Sequence, residues 1–423
     1  MRVALLGMGS RGDVQPFVAL APHLSALGLE PFVVAPADFR SFVEGHGVAF
    51  EPLSFEVRPG VESDLGRRWL RGSSTNQVRE AALMRRVVAY TADELGADVA
   101  RVVGMADAVV SSALTFDAVA SLCARDGRPH VFATFQPVWP SRYGPSSSFA
   151  LRPGSPSALN LGWGWLAAHA AWSIFRQPGD RMRRRMNLPR KGFRGYVLDA
   201  RRTPTLLAAS PHVVPPAPDW PETLTQTGWW FRPDAPAWQP PDALASFLDA
   251  GDPPVHLGFG SMPTHDPASV LRSFLNALRR VGRRGIVSAG WAQLGRDGVE
   301  PGDLPATVLG IEGAPHEWLF PRCAAVVHHG GGGTTAAAFR AGVPQVVVPH
   351  IADQPYWGRR VQALGCGPAP LPRKNFHATA LTAALEEALA PSSVEAARRL
   401  GRLVDAEDGA ADAARVVAAV LTR

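Results

Sequence analysis

The chain has 423 residues, enough for two domains of ordinary size, and 46% of them are hydrophobic, ample for two cores. Its net charge of +6 and pI near 9.8 come largely from arginines scattered through an Ala-, Pro- and Arg-rich sequence with no DNA- or RNA-binding signature, so nucleic acid is not the expected partner. Cys123, Cys323 and Cys366 form no C-x-x-C pair, which indicates neither a disulfide framework nor a zinc site and fits a reducing cytoplasm. Met1 to Met8 is too short for a signal-peptide core, and no apolar run is long and clean enough to span a bilayer.

Arg2 to Gly7 reads as a buried strand, followed by the turn GSRGDVQP (Gly9 to Pro16) and a helix over Phe17 to Leu27. Gly7, Gly9 and Gly12 match G-x-G-x-x-G, but a dinucleotide site is disfavoured. Asp13 would sit beside any bound phosphate, and Glu30 and Asp38 are poorly placed for the acidic ribose partner. Strands follow at Glu30 to Ala35 and Val48 to Leu53, with a helix near Asp38 to Glu44 between them. The polar stretch Phe55 to Asn76 reads as a mobile loop. Next come a long helix over Gln77 to Val103, a strand at Ala108 to Ser112, a helix to Ala124 and a strand at His130 to Phe135. Uniformly apolar strands alternating with helices predict a doubly wound parallel sheet.

The pattern then dissolves into Pro, Ser and aromatic residues, including Trp139. An apolar segment from Leu161 to Phe175 carries Trp163, Trp165 and Trp172, and suits either a pocket for a flat hydrophobic acceptor or helix core. A basic cluster follows at Arg181, Arg183, Arg184, Arg185, Arg190 and Lys191. Beside the tryptophans it also suits weak association with an anionic membrane surface. The expected domains are 1–215, a Pro-rich linker over 216–242, a second domain over 243–405, and a last helix over 406–423. The second domain opens with the strand Val255 to Ser261, whose G-F-G-S end echoes G-M-G-S at Gly7 to Ser10. A helix over Pro267 to Val281, strands at Gly285 to Ala289 and Thr307 to Ile311, and closing helices over Ala378 to Leu389 and Val394 to Leu421 complete it.

The densest signal is HHGGGGTTAAAFRAGVPQVVVPHIADQ, His328 to Gln354. A short buried strand over Ala324 to Val327 leads through His328, His329, Gly330, Gly331, Gly332 and Gly333 into a helix opened by Thr334. Glycine amides and the positive end of the helix favour a phosphate. After Gly342 a second buried strand delivers Asp353 and Gln354 to the same rim, and an acid beside an amide suits a polyhydroxylated sugar.

With GSRGDVQP and DQPYWGRRV, this stretch resembles the nucleotide-sugar-dependent inverting glycosyltransferases of the two-domain GT-B type. The nearest likeness is to sterol glucosyltransferases and bacterial antibiotic glycosyltransferases. The resemblance implies two Rossmann-like domains facing a cleft, with the last helix crossing back to the first domain. It places the donor nucleotide sugar on the second domain, at Ser261, His316, His328, His329, Gly330 to Gly333, Thr334, Asp353 and Gln354, with Ser10 and Gly12 of the first loop. In the acceptor domain, Trp139, Trp163 and Trp165 would face a hydrophobic small molecule. Asp13 stands three residues before Pro16, where relatives carry a basic His. It is read as the base that deprotonates the acceptor or as a helix cap, and one residue can do both. Gly313 and Ala337 replace a Trp and a Glu that hold the nucleoside in plant members, leaving UDP and TDP both open. No metal and no cofactor beyond the co-substrate are expected. A sterol or lipid acceptor and a nucleotide-sugar 2-epimerase are the alternatives to an antibiotic aglycone.

Overall fold

The computed structural model describes residues 1–56, 77–232, 238–260, 266–288 and 304–422. Its strands are β1 (Arg2–Leu6), β2 (Glu30–Pro36), β3 (Ala49–Leu53), β4 (Ala108–Ser111), β5 (His130–Thr134), β6 (Thr205–Leu207), β7 (Leu224–Gln226), β8 (Val255–Gly258), β9 (Gly285–Ser288), β10 (Val308–Ile311), β11 (Ala325–His328) and β12 (Gln345–Val347). The helices of the first half are α1 (Arg11–Ala26), α2 (Arg40–Glu44), α3 (Gln77–Tyr90), α4 (Ala92–Met105), α5 (Phe116–Asp126), α6 (Ala158–Phe175), α7 (Gln177–Arg185) and α8 (Phe193–Arg202). Those of the second half are α9 (Asp242–Asp249), α10 (Pro267–Val281), α11 (His316–Leu319), α12 (Gly332–Arg340), α13 (Gln354–Ala363), α14 (Ala378–Ala388), α15 (Pro391–Asp405) and α16 (Gly409–Leu421).

The chain forms two compact units. The first takes in the described residues of Met1–Trp69, Val78–Ala237 and Glu407–Arg423, and the second those of Trp238–Ala406. The first holds a seven-stranded sheet in the order β3-β2-β1-β4-β5-β6-β7, parallel throughout. Alternate residues of β1 serve opposite faces: Val3 and Leu5 join the core under α1, while Ala4 and Leu6 join the core under α4 and α5. Burial on both faces is why the strand reads as one apolar run. The C-terminal helix α16 lays Ala410, Ala413, Ala414 and Val417 into the α1 side of this core. The second unit holds a five-stranded parallel sheet, β10-β9-β8-β11-β12, with cores on both faces.

In each sheet the strand order reverses once, between β1 and β4 and between β8 and β11. Ligands of open parallel sheets bind beyond the strand ends at such a reversal. The two glycine turns singled out in the sequence therefore leave β1 and β11 at the two reversal points.

Several local expectations change. Helix α1 starts at Arg11 rather than Phe17, because Ser10 caps it and Gly12 to Pro16 enter the helix. The long helix after Gln77 breaks at Thr91 into α3 and α4, and the last helix breaks between Asp405 and Gly409, where the chain passes from one unit to the other. Within the stretch 216–242 expected as a linker, Leu224–Gln226 pairs with β6, and Trp229 and Trp230 are buried. A three-residue strand among prolines carries no periodic signal. Part of the basic cluster is paired within the chain: Arg181 and Arg185 both clamp Asp93, and Arg183 is buried on Asp117 at 2.6 Å and Asp180 at 2.9 Å, while Arg184 and Arg190 are exposed. Charges so paired contribute less to attraction for a lipid surface than unpaired ones, which leaves the exposed Arg184 and Arg190 as the outward part of the cluster. No described helix is long and apolar enough to cross a membrane.

Candidate functional site

The junction after β1 closes on itself. Ser10 is the N-cap of α1; its Oγ accepts the Gly12 N–H at 3.3 Å, and Asp13 Oδ2 accepts the Ser10 N–H at 2.7 Å and its hydroxyl at 3.1 Å. This is a reciprocal capping box. Gly9, at φ +134°, is required, since a Cβ there would stand 2.3 Å from Asp13 Oδ2. The half-buried Asp13 carboxylate thus occupies the place an anion would take, and its charge repels a phosphate. Ser10 and Gly12, expected on the donor, are exposed and take part in the cap.

The junction after β11 is built from the same parts with the opposite outcome. Gly330 turns the chain at φ +87°, where a Cβ would meet Val347 Cγ1 at 2.6 Å. Its N–H donates to His328 Nδ1 at 3.1 Å, so the proton of that ring lies on Nε2, which donates to Gln345 Oε1 at 2.9 Å. His328 is fully buried, and burial pushes its pKa down to about 4. Both ring nitrogens face inward partners, so His328 is a support of the loop and not the donor contact expected. Helix α12 then opens at the N-cap Gly331 with no side chain capping it among the described residues. Thr335 is the exception that closes inward, its Oγ1 donating to the Gly331 carbonyl at 3.0 Å. The first amides of α12 and the positive end of its dipole are therefore unscreened by any capping carboxylate. Gly333 is exposed, and a Cβ added there would meet nothing within 4 Å.

His329 is half-buried beside this helix start, with a Cβ on Gly331 falling 2.5 Å from its Nε2 and one on Gly260 3.4 Å from its Cε1. Its Nδ1 is buried without a hydrogen-bond partner among the described residues, and burial holds its pKa well below the ordinary value. A neutral imidazole lacking a partner on one nitrogen is suited to meet an incoming polar group. His316, half-buried, opens α11 with its ring stacked on Phe320 at 4.3 Å, and it interacts electrostatically with His328 and His329. His350 donates Nδ1–H to the Val348 carbonyl at 2.8 Å and is pushed down to about 4 by burial.

After β12 the loop carries Ala352 at φ +53° into Asp353, the N-cap of α13. Asp353 is half-buried; desolvation raises its pKa to about 6, against the lowering effect of the Trp357 indole N–H, which donates to Oδ2 at 2.6 Å. Gln354 is buried, and its Oε1 accepts the N–H groups of His350 and Ile351 at 2.7 and 2.9 Å. That oxygen shapes the loop rather than waiting for a sugar, which corrects half of the role expected of the amide.

The second unit thus brings together His316, His329, Gly330 to Thr334, Asp353 and Gln354. Ser261 lies outside the described residues. In the first unit, Trp139 and Trp165 meet edge to face at 5.9 Å and Trp165 packs on Phe193 at 6.4 Å, so both are half-buried in aromatic packing. The cavity beside Trp139 holds about 10 Å³, room for one water and not for an acceptor. Trp163 differs: it is 42% exposed, on one face of α6 with Leu159 and Leu166, at 52% and 57%. Sequence reasoning passed over those leucines because α6 is apolar all round, and over Trp357 and Gln345 because a core Trp or Gln has no periodic signature.

Comparisons with known proteins show the family and the fold. The glycosyltransferase family 28 N-terminal domain matches residues 3–113, and the erythromycin biosynthesis protein CIII-like C-terminal domain matches residues 293–416. A sterol 3-beta-glucosyltransferase of Arabidopsis thaliana is 32% identical over 98% of this chain and 67% of its own length. An O-mycaminosyltylonolide 6-deoxyallosyltransferase of Streptomyces fradiae is 36% identical over 98% of this chain and 96% of its own. The chain spans about two thirds of the plant sterol relatives it matches, 67% and 65%. In fold, the crystal structure of glycosyltransferase VinC in complex with dTDP superposes with a TM-score of 0.66 at 20% identity, covering 100% of both chains. These relatives are transferases, and the epimerase alternative gives way to them. With two parallel-sheet units, an uncapped helix start after β11 and relatives of this kind matched over 98% of the chain, the chain belongs to the GT-B glycosyltransferases, in the group that includes sterol glucosyltransferases and bacterial antibiotic glycosyltransferases.

Proposed function

We propose that this enzyme moves a sugar from UDP or TDP to a hydroxyl of a hydrophobic natural-product aglycone, with inversion at the anomeric carbon. The observation that carries the donor half is the uncapped start of α12, where Gly332 to Thr334 offer amides to an anion beside His329. These groups take the diphosphate and stabilise its charge as it leaves, where fixed donors have their largest effect. Asp353 accepts hydrogen bonds from the sugar hydroxyls. Asp13 takes the proton of the acceptor hydroxyl as its oxygen attacks, and a single displacement inverts the centre. Because helix and amides supply the positive field, no divalent metal is required for donor binding.

The test is thermal. UDP or TDP in EDTA should raise the melting temperature by mass action, and His329→Ala should shrink that shift. A strict need for Mn²⁺ or Mg²⁺ would refute the site. For the acceptor, the apolar face of α6 around Trp163 favours a large, flat, hydroxylated molecule. A sterol is the second reading, favoured by the 32% identity to the plant sterol 3-beta-glucosyltransferase. Assay of polyketide-type aglycones and sterols side by side separates the two, and transfer to small polar sugars alone would remove both.

A further inference from the structure

Asp353 is held more firmly than a loop residue needs to be. Ala352 immediately before it is left-handed at φ +53°, a conformation costly for a residue with a Cβ and kept only where surroundings impose it. Behind it, the Gln354 amide oxygen pins the His350 and Ile351 amides. One turn on, the fully buried Trp357 gives its indole N–H to Asp353 Oδ2 at 2.6 Å. A buried indole needs some acceptor, but a carboxylate is the strongest choice, and this bond fixes one of its two oxygens in place. The same ring also touches the phosphate side of the site. A Cβ on Gly332 would lie 3.3 Å from Trp357 Nε1, a tight approach, so the indole lies close against the start of α12.

We infer that Trp357 is a positioning residue that orients the Asp353 carboxylate for a donor-sugar hydroxyl while its ring backs the first residue of the phosphate-binding helix, setting sugar and diphosphate in one register. Trp357 acts through Asp353 and Gly332, without touching the donor. The inference rests on the donor site proposed above.

Calorimetric titration of wild type and Trp357→Phe with UDP, TDP, UDP-glucose and TDP-glucose tests it. Phenylalanine keeps a ring behind Gly332 and removes the N–H. The preference for nucleotide sugar over nucleotide alone should fall about tenfold, the weight of one charge-assisted hydrogen bond, while UDP and TDP bind as in wild type. Equal loss for all four ligands, or no loss, overturns the inference. Wild type that binds none of the four overturns the donor site itself, a different result. Should Trp357→Phe fail to fold, the indole N–H proton resonance of Trp357 decides with the ring intact. It should shift in Asp353→Asn, and more on adding UDP-glucose than UDP; a resonance indifferent to Asp353→Asn overturns the inference.

Discussion

The junctions after β1 and after β11 are the same device finished in two ways. Each is a parallel strand at the reversal point of its sheet, a glycine turn and a helix start. After β1, Ser10 and Asp13 satisfy the helix from within, and a carboxylate sits where an anion would bind. After β11, glycine replaces the capping side chain, and the supporting residue, His328, approaches from below the loop and leaves the helix start open. If the donor site is where we propose it, a Gly-rich turn alone does not make a phosphate site. What decides is whether the chain caps its own helix.

The sharpest way to break this contrast is Asp13→Asn. Asparagine can still accept the Ser10 N–H but cannot take a proton, so turnover should fall by about 10² to 10⁴ with nucleotide affinity nearly unchanged. Near-normal turnover with a good acceptor would leave Asp13 a cap only, and the base would have to be sought at His316 or His350.

On the other side, His328→Leu strands the buried Gly330 N–H and the Gln345 amide, at a cost of about 1–3 kcal/mol in stability. His328→Asn places an acceptor near the Nδ1 position and should recover most of the loss at the loop. Equal stability of wild type and both variants by denaturant titration would deny His328 its supporting role. Smaller still is Gly333→Ala. Because the site is open, the added methyl meets no protein atom and improves helix propensity by about 0.5–1 kcal/mol, so the melting temperature should rise slightly. Nucleotide affinity should fall by roughly tenfold, since a Cβ would stand between ligand and amide. A variant that is more stable and still binds UDP or TDP normally would move the phosphates elsewhere.

How much was legible follows the same contrast. The strands β1, β2, β4, β5, β8 and β11 are built mostly from apolar residues, and the Gly330 to Thr334 turn has a residue pattern that suits an anion. By contrast, Ser10, Gly12 and His328 carry the right residue types for a donor site, and only geometry shows that their polar atoms are engaged inside the chain. Trp165 is indistinguishable from Trp163 in sequence because α6 has no polar face to fix its orientation, and Trp139 lies in an irregular stretch with no period at all. β6 and β7 escaped notice since three residues are too few for a period and their flanks are proline-rich.

The mildest test is pH, and it separates the two units. In the second, burial holds His256 down to about 3 and His328 and His350 to about 4, with His329 well below its ordinary 6.5. In the first, burial holds His130 on β5 down to about 3. Each such ring stays neutral when folded and takes a proton when unfolded, so its stabilising effect is complete above pH 6.5. It is lost as pH falls from 6.5 toward 4. Asp353 opposes this weakly: with its folded pKa raised to about 6 from 3.8, it favours the folded state at low pH and loses that effect as pH rises from 3.8 to 6. Four histidines outweigh one carboxyl, and between pH 6.5 and 6 the histidines act almost alone. Hydrogen exchange at pH 7 and pH 5 should therefore show protection falling more in β8, β11 and β12 than in β1 and β4. Over the same range, affinity for UDP-glucose or TDP-glucose should decline below about pH 6 as Asp353 takes a proton, while Asp353→Asn binds the sugar more weakly with no such step. A step that persists in Asp353→Asn would assign the titration to His329 instead.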